Sequence, residues 1–498
     1  MEFVLGIDQG TTNTKAVLVD DQARIRAVAE RRIATASPQP GWVEQDPEAM
    51  LRNVLDCIRD VLAQGSVAPG RIAGAGICNQ TETLVVWDTE TGRPLHPAIV
   101  WQCRRSQADA QAVQPAAVQI GARTGLDLDP TFTATKLRWL AREWPDIGAQ
   151  LASGRALWGT VDSWLVHALS GGSSYVTEPG NASRTMLFDI SKLRFDDDLF
   201  RIFGLALARK PEVKKSAASF GHFAREHLGA KIPITGILGD QQASLFGHGC
   251  FQPGMLKASF GTGGFVWLNA GATAPSGDRQ GLLATIAWQL DKPAYALEGF
   301  VMYAGAIIDW LLRILDLGTD PDAVARLARE AASSGDVTLV PAFQGLGSPW
   351  WDAEARASIL GLSAGTERAQ ICRAGLEAIC FQTRAVLEAM GRVNGKAATL
   401  VSVDGGMTRS EDIMAMQAAV LKTPLRRAET VHVAALGAAL MAGVGAGLWK
   451  GTDEIRPLMG GGSPVDDTRF AAEPWDERYG QWRSAVDLTR QWKSDGRA

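Results

Sequence analysis

The stretch FVLGIDQGTTNTKAVLVD, residues 3–20, predicts two apolar strands joined by a short polar turn. Its polar positions are Asp8, Gly10, Thr11, Thr12, Thr14 and Lys15. A glycine lets backbone amides approach an anion closely, and hydroxyl and ammonium groups donate hydrogen bonds to phosphate oxygens. The carboxylate of Asp8, at the end of the first strand, can bind Mg²⁺ directly or through water. The stretch therefore predicts one half of a phosphate-binding site.

A second unit of the same kind lies in the other half of the chain. The stretch MLKASFGTGGFVWL, residues 255–268, again predicts a strand, a turn rich in glycine and a second strand. Either unit alone is equally consistent with an ordinary hairpin. Two such units, one in each half, favour a nucleotide whose phosphates are bound from both sides of a cleft.

The composition indicates a globular protein of more than one domain. The chain has 498 residues, of which 46% are hydrophobic and 21% charged, and this length exceeds what one core usually supports. A formal net charge of −4 without a basic tract argues against a nucleic-acid partner. No apolar run reaches the roughly 18 residues of a membrane span, and no signal peptide precedes the first strand. We therefore expect a cytoplasmic protein without a membrane partner, whose six cysteines are reduced.

Both halves of the chain begin with predicted strands and continue with alternating helices and strands. This order predicts an α/β fold with two domains around mixed sheets. We place the domains at residues 1–248 and 249–498, because small residues at Gly247-His248-Gly249 suit a hinge. Hinge closure excludes water from a reaction between two lobes.

Asp240 is the best candidate for a proton acceptor. It follows the apolar run of residues 232–238 and precedes a predicted helix, so its carboxylate can point into a cleft. Gln241 beside it could orient a hydroxyl group. A capping role for Asp240 at the helix N-terminus explains the local sequence equally well.

Two further sites follow predicted strands directly. Glu82 is a second carboxylate able to bind sugar-like hydroxyls, although a solvated turn residue would look the same. Gly405 and Gly406 follow the strand of residues 399–403, and their missing side chains could let an adenine or a ribose lie against the backbone. A plain tight turn is the alternative there.

Together these residues resemble the FGGY carbohydrate kinase family, and the resemblance covers nearly the whole chain. The matching motifs are DQGTT (8–12), PGWVE (40–44), WQCRR (101–105), GTVD (159–162), NASRTMLF (181–188), GDQQ (239–242), GTG (261–263), PAFQGLG (341–347) and DGG (404–406). The resemblance implies two ribonuclease H-like domains of the actin–hexokinase type, with ATP and a polyol in the cleft between them. Within the family, the chain most resembles the kinases that phosphorylate glycerol.

The resemblance also assigns roles to individual residues. Asp240 would be the general base, and Asp8 would position Mg²⁺ with Asp240 close to the same metal. The implied ATP-binding residues are Thr11, Thr12, Asn13, Lys15, Gly261, Thr262, Gly263, Gln344, Gly405, Gly406 and Glu411. The family more often has Arg at Lys15 and Asn at Glu411; a lysine supplies charge but no two-pronged contact.

The implied polyol pocket departs from the family pattern at two positions. Its residues are Thr81, Glu82, Trp101, Thr131, Asp240, Gln241 and Phe265. The family usually has Arg where Thr81 stands and Tyr where Thr131 stands, so two long donors are replaced by short ones. Hydroxyl-reading pockets lose selectivity steeply when their polar groups are removed. We therefore expect a kinase for glycerol or a slightly longer polyol, such as a tetritol.

Three alternatives remain at this stage. The chain could phosphorylate a ketopentose, as other members of the same family do. An actin-like ATPase that binds protein would share both phosphate turns but would not need Glu82, Trp101 and Phe265 around Asp240. A non-catalytic regulator would not need both Asp8 and Asp240. By analogy with relatives, a homodimer or homotetramer is expected.

Overall fold

Two mixed β-sheets, one in each half of the chain, form the framework of the computed structural model, which describes residues 2–492. The first sheet contains β1 (Phe3–Gln9), β2 (Asn13–Asp20), β3 (Ile25–Arg32), β4 (Ile72–Asn79), β5 (Ala217–His222) and β6 (Pro233–Gly239). The second contains β7 (Met255–Phe260), β8 (Gly264–Gly271), β9 (Leu283–Gln289), β10 (Pro293–Val301), β11 (Leu400–Asp404), β12 (Leu425–Arg427) and β13 (Ser463–Pro464). We call the part up to the hinge after β6 the first lobe, and the part from β7 onward the second lobe.

The two sheets repeat one strand order. The first runs β5-β6-β4-β1-β2-β3 and the second runs β9-β10-β8-β7-β11-β12-β13. In each, an antiparallel hairpin (β1–β2 or β7–β8) is followed on one side by two parallel strands, β4 and β6 or β11 and β12. This repeat confirms the two α/β domains around mixed sheets that the order of strands and helices in the sequence predicts.

Helices cover the faces of both sheets. In chain order they are α1 (Pro47–Gly65), α2 (Gln107–Ala112), α3 (Ala117–Thr124), α4 (Thr133–Glu143), α5 (Pro145–Ser153), α6 (Val161–Leu169), α7 (Pro179–Ser183), α8 (Asp197–Ile202), α9 (Arg225–Leu228), α10 (Asp240–Gly247), α11 (Gly305–Ile314), α12 (Asp322–Ala328), α13 (Arg368–Asn394), α14 (Glu411–Leu421), α15 (Val433–Gly445), α16 (Thr452–Ile455) and α17 (Trp475–Gln491). Within residues 2–492, none of them is long and apolar enough to cross a membrane.

Shorter elements complete the chain. Two-stranded ladders pair Glu44–Gln45 with Ala98–Ile99, Val85–Asp88 with Ala156–Gly159, Val176–Thr177 with Glu212–Val213, Phe188–Asp189 with Arg194–Phe195, and Thr338–Val340 with Ser358–Leu360. Single 3₁₀ turns occur at Pro69–Arg71, Gln114–Ala116 and Gly406–Arg409. All six cysteines are buried and free, as expected.

Helix α15 joins the lobes, because it lies across the first sheet and crosses α10. The crossing is close: a Cβ at Gly437 would lie 1.9 Å from the carbonyl oxygen of Ala243. On the sheet side, a Cβ at Gly76 would lie 1.9 Å from the carbonyl oxygen of Ala438. Small residues at these positions therefore let helix and sheet backbones touch beside the hinge. The division of the chain at residue 248 stays a prediction.

Candidate active site

Three carboxylates converge where parallel strands of the first sheet end. Asp8 lies near the end of β1, Glu82 follows β4, and Asp240 follows β6. The strand register places Asp8 opposite Cys78, and Gly239 opposite Asn79 of the same strand. Burial raises the pKa of the Cys78 thiol, and the charges of Asp8 and Asp240 raise it further. Sequence-distant acids are thus neighbours because β1, β4 and β6 are adjacent and parallel.

Asp240 is the first residue of α10, at the point where this helix approaches the loop that follows β4. The residue at the N-cap position is Gly239, so Asp240 is the first helical residue and not the cap of the helix. Its Oδ1 accepts a hydrogen bond from the backbone N–H of Gln241 at 2.7 Å. A Cβ at Gly239 would lie 2.5 Å from Cγ2 of Thr81, which shows how closely the two loops approach.

The electrostatic environment of Asp240 favours proton transfer. Burial raises the pKa of Asp240 to about 7, and the nearby charges of Glu82 and Asp8 contribute in the same direction. Lys257 opposes this shift. A carboxyl group whose pKa lies near the working pH is suited to accept and release a proton.

Lys257, on β7, reaches from the second lobe to the residue beside Asp240. It is fully buried and donates hydrogen bonds to Oε1 of Gln241 and, at 2.9 Å, to Oγ of Ser259. An ammonium group only donates, so the amide oxygen of Gln241 must face Lys257. The amide nitrogen of Gln241 is then the end that can donate to a ligand hydroxyl.

Glu82 has a constrained backbone and a constrained carboxylate. Its φ is +64°, in the left-handed region that costs a residue with a side chain about 1–3 kcal/mol and that concentrates at functional sites. Its Oε2 accepts from the hydroxyl of Thr81 at 2.8 Å, and its Oε1 accepts from Nε of Arg184 at 2.5 Å. Glu82 is buried, so the alternative of a solvated turn residue is wrong.

The other three residues predicted for the polyol site lie on different elements. Trp101 donates from Nε1 to Oγ1 of Thr11 at 2.9 Å, which connects it to the first phosphate turn. Phe265, on β8, packs against Phe300 with ring centroids 4.9 Å apart. Thr131 lies in the turn before α4, where its backbone N–H donates to the carboxylate of Asp129 at 2.8 Å. These contacts join Trp101 to the first predicted phosphate turn, Phe265 to Phe300 and Thr131 to Asp129.

Buried Lys136 holds the turn that carries Thr131. Its Nζ donates to the carbonyl oxygens of Pro130, at 3.0 Å, and Thr131. Burial lowers the pKa of Lys136 to about 7, against the opposing charge of Glu82. The position of Thr131 is therefore fixed by the backbone rather than by its own side chain.

The two predicted phosphate turns are tight hairpin turns of similar design. In the first, the backbone N–H of Gly10 donates to the carbonyl of Asn13 at 3.0 Å, while the side chain of Asn13 donates to Glu30 at 2.5 Å. Lys15 lies opposite Asp8 in the β1–β2 register. Thr12 completes this turn, and its carbonyl accepts from the backbone of Ile33 at 2.9 Å.

The second turn joins β7 to β8 and contacts the start of α11. The N–H of Gly261 donates to the carbonyl of Gly263 at 2.8 Å. Backbone groups of Ala304 and Gly305 donate to the carbonyls of Thr262 and Gly261, both at 2.9 Å. The turn is therefore held by backbone contacts.

The predicted adenosine residues form a glycine turn and an exposed ion pair. Gly405 has φ +97°, and a Cβ there would lie 2.2 Å from the carbonyl oxygen of Phe260, so only glycine fits. A Cβ at Gly406 would meet no heavy atom within 4 Å, which leaves an open surface. Glu411 begins α14 and binds Arg427 through two contacts of 2.7 and 3.1 Å. Its carboxylate is thus engaged with Arg427.

Gln344 lies in the loop after the strand of residues 338–340, and its backbone is hydrogen-bonded to the side chain of Tyr303. At the start of the glycine turn, Asp404 accepts a contact of 2.9 Å from Nε2 of His248. His248 and Lys257 hold the pKa of Asp404 well below its usual range. His248, in the segment predicted to be a hinge, therefore contacts the predicted adenosine turn directly.

Several charged residues of the site were not singled out by the sequence reasoning. They are Arg184, His248, Lys257 and Glu298. Lys257 and Glu298 lie within otherwise apolar strands, and a charge inside a buried strand is a signal that sequence could have used. Their partners lie in the other lobe, which local sequence does not reveal.

Comparison with known proteins fits this geometry. The family model described as the FGGY family of carbohydrate kinases, N-terminal domain, matches residues 3–247, and its C-terminal counterpart matches residues 256–446. The chain belongs to the FGGY family of carbohydrate kinases, and it is therefore a phosphotransferase that uses ATP.

Individual relatives narrow the likeness. The glycerol kinase of Citrifermentans bemidjiense is 46% identical, over 99% of this chain and 100% of that protein. A crystal structure of Plasmodium falciparum glycerol kinase with ADP superposes with a TM-score of 0.90 at 33% identity, over 98% of both chains. A xylulose kinase from Rhodospirillum rubrum shares the fold, with a TM-score of 0.88 at 24% identity over 98% of this chain and 99% of that one.

Proposed function

We propose that the protein transfers the γ-phosphate of ATP to a primary hydroxyl of a small polyol, which is glycerol or a slightly longer polyol such as a tetritol. The observation that carries this proposal is the convergence of Asp8, Glu82 and Asp240 at adjacent strand ends, beside Lys257 from the second lobe. The similarity to proteins named glycerol kinase supports the same substrate class.

Asp240 is the general base in this proposal. Its carboxylate takes the proton of the primary hydroxyl as that oxygen bonds to the γ-phosphorus and ADP leaves, and it then releases the proton to solvent. The amide nitrogen of Gln241 and the carboxylate of Glu82 orient the polyol by donating to and accepting from its hydroxyls. Trp101 and Phe265 supply apolar walls for the carbon chain.

The first phosphate turn and the second phosphate turn bind the phosphates from opposite sides. The proposed contacts come from Thr11, Thr12, Asn13 and Lys15 in the first lobe, and from Gly261, Thr262 and Gly263 in the second. Adenosine lies against Gly405 and Gly406, near Gln344 and Glu411. Backbone N–H groups of glycine turns suit phosphate oxygens because no side chain blocks their approach.

The residues present fit a Mg²⁺ ion. Asp8 and Asp240 offer carboxylate oxygens, and the repulsion from Asp8 that raises the pKa of Asp240 leaves negative charge for a cation to neutralise. Mg²⁺ in phosphoryl-transfer enzymes is usually held by one or two carboxylates together with substrate phosphates. When bound, it would neutralise charge on the phosphates.

A substrate panel tests the proposal. Polyol-dependent ADP release should be measured for glycerol, erythritol, threitol, the pentitols and xylulose, each against a blank without substrate. We expect kcat/KM for a tetritol to equal or exceed that for glycerol, because Thr81 and Thr131 leave room for one more carbon. Thr131→Tyr, which fills part of that room, should shift the preference toward glycerol.

The outcomes separate the alternatives. A preference for glycerol of tenfold or more would overturn the enlarged pocket and leave the polyol kinase in place. Turnover with xylulose alone would establish the ketopentose alternative. ADP release that no polyol or sugar increases would contradict the kinase and favour an actin-like ATPase.

We also propose that the enzyme works in the cytoplasm as a homodimer or homotetramer. Analytical ultracentrifugation of the purified protein tests the proposed assembly.

A further inference from the structure

Arg184 lies between the two lobes and contacts the carboxylate that is proposed to bind the polyol. Its Nε donates to Oε1 of Glu82 at 2.5 Å, and its Nη1 donates to Oε2 of Glu298 at 2.6 Å. Glu82 follows β4 of the first lobe, whereas Glu298 lies on β10 of the second. The three side chains are 7%, 7% and 8% exposed. One guanidinium thus connects an acid of each lobe.

We call Glu82, Arg184 and Glu298 the triad. Stability alone does not explain it. Taking charges out of water costs free energy that their attraction often fails to offset, and apolar residues of similar size are frequently as stable. The triad also holds two carboxylates for one guanidinium. Burial raises the pKa of Glu298, and the charge of Glu82 raises it further. A buried group of this kind beside a binding site calls for a functional reason.

The consequence for Glu82 is a single carboxylate orientation. Arg184 holds Oε1, the Thr81 hydroxyl holds Oε2, and the left-handed backbone at Glu82 fixes where the side chain starts. A carboxylate has about four acceptor positions, so those left over point in set directions. A hydroxyl of the polyol would therefore donate to a carboxylate oxygen of Glu82 whose orientation is fixed before binding.

The segment that carries Arg184 is itself packed on the second lobe. The hydroxyl of Ser183 is 2.7 Å from that of Thr285 on β9. Ala182 and Phe188 are buried in the same core cluster as the strands of the second sheet. The segment that carries Arg184 therefore contacts the second lobe as well as the first, where the side chain of Asn181 accepts a hydrogen bond from that of Asn79 at 2.9 Å.

We propose that Arg184 is a positioning residue for the polyol, and that Glu298 acts through it, so that the second lobe sets the orientation of Glu82. The polyol then binds to the carboxylate of Glu82, whose orientation depends on residues of both lobes. Neither Arg184 nor Glu298 needs to touch ATP in this arrangement. The inference rests on the proposed polyol kinase function.

The test compares Arg184→Lys and Glu298→Gln with the wild-type protein. A lysine keeps the charge but is a point donor that cannot hold two carboxylates in one geometry. We expect the KM for the polyol to rise about 10- to 100-fold in Arg184→Lys, since misplacing a binding group by about 1 Å has effects of that size. In Glu298→Gln, which keeps the shape of the triad, we expect a rise of about 3- to 10-fold. The KM for ATP should stay within about twofold.

Arg373→Lys is the matched control. Arg373 is also a buried guanidinium between two acids, Glu377 at 2.9 Å and Glu473, but it lies within the second lobe, away from the polyol residues. We expect this variant to lower the Tm without changing the KM for the polyol. Isothermal titration of glycerol and erythritol into each variant, without ATP, separates binding from turnover.

Unchanged polyol KM and Kd in both site variants would overturn the inference, and so would an equal rise in Arg373→Lys. If Arg184→Lys does not fold, Glu298→Gln decides alone. The proposed function fails separately, through a wild-type protein that neither binds nor phosphorylates any polyol in the panel.

Discussion

The proposed polyol end and the proposed adenosine end of the site are built in different ways. At the polyol end, Glu82, Asp240 and Gln241 are buried or half-buried and are contacted by charged side chains from distant parts of the chain, namely Arg184 and Lys257. At the adenosine end, the predicted positions are two glycines, Gln344 and Glu411, and the exposed carboxylate of Glu411 pairs with Arg427.

This difference predicts which of the two ends is more sensitive to substitution. A buried polar group that loses its partner keeps its desolvation cost, so changes at the polyol end should be expensive. An exposed ion pair contributes little. At Gly406 a Cβ would meet no heavy atom within 4 Å, so a side chain there leaves the backbone groups in place, whereas at Gly405 only glycine fits. We therefore expect the polyol end to tolerate much less change than the adenosine end.

Asp240→Asn should give the largest effect. The amide cannot accept the proton of the attacking hydroxyl, so we expect kcat to fall about 10²–10⁴-fold, the usual size of a general-base contribution. The Kd for ATP should stay within a few-fold, because the nucleotide is bound by the two turns. Near-normal turnover would show that another group is the base, and would remove the contrast between the two ends.

Lys257→Met should give the next largest effect. Methionine fills a similar volume but leaves the amide of Gln241 free to rotate, so we expect kcat/KM for the polyol to fall by up to about 100-fold. Lys422→Met, at an exposed lysine paired with Asp476, is the control and should not change kcat/KM for the polyol. A loss confined to ATP binding would place Lys257 at the wrong end of the cleft.

The pH dependence of kcat/KM should follow Asp240. With a pKa of about 7, its carboxyl is protonated below that pH and cannot act as a base, so we expect kcat/KM to fall about tenfold per pH unit below about 7. Saturating Mg²⁺ and ATP should move the acidic limb of kcat to lower pH, since a cation favours the ionised form. A flat profile between pH 5 and pH 8 would contradict the assignment.

The ionised form of Asp240, which the proposed reaction needs, should lower the stability of the folded protein. The pKa of Asp240 is raised in the folded state, from 3.8 to about 7. Any stabilisation from this carboxyl is therefore present below about pH 3.8 and is lost as the pH rises through about 7. We expect Asp240→Asn to raise the Tm of the ligand-free protein, and to raise it more at pH 8 than at pH 5. A Tm difference that is independent of pH would contradict the buried-charge argument.

Glu411→Gln should give the smallest effect. Its carboxylate is largely exposed and pairs with Arg427 at the surface, an interaction of the kind that contributes little. We expect the KM for ATP to change by less than about threefold and the KM for the polyol not to change. A tenfold loss of ATP affinity would show that Glu411 binds the nucleotide directly and that the adenosine end is as demanding as the polyol end.

Much of the fold could be predicted from local pattern. Strand, turn and strand occupy adjacent residues, so both hairpins could be read from the chain, and α10 could be placed because Asp240 follows an apolar run. Helix α17 is hard to predict from the sequence, because its charged residues mask an apolar stripe in which Trp475, Tyr479, Trp482 and Val486 recur at helical spacing and are buried.

The pairings at the polyol end could not be predicted in this way. Glu82 contacts Arg184, which is 102 positions away, and Arg184 contacts Glu298, which is 114 positions further. Such pairs depend on how the two sheets pack, which periodicity within one element does not record. The sequence around Lys257 and Glu298 indicates that each is a buried charge that needs a partner, but it does not identify that partner.

The most direct measurement of the central claim is a crystal structure of the protein with ADP, Mg²⁺ and erythritol. We expect a terminal oxygen of the polyol within hydrogen-bond distance of Asp240, a second hydroxyl on Glu82 and Gln241, and the diphosphate between the Gly10 and Gly261 turns. A carboxylate at residue 240 that points away from the polyol, or a nucleotide bound elsewhere, would contradict it.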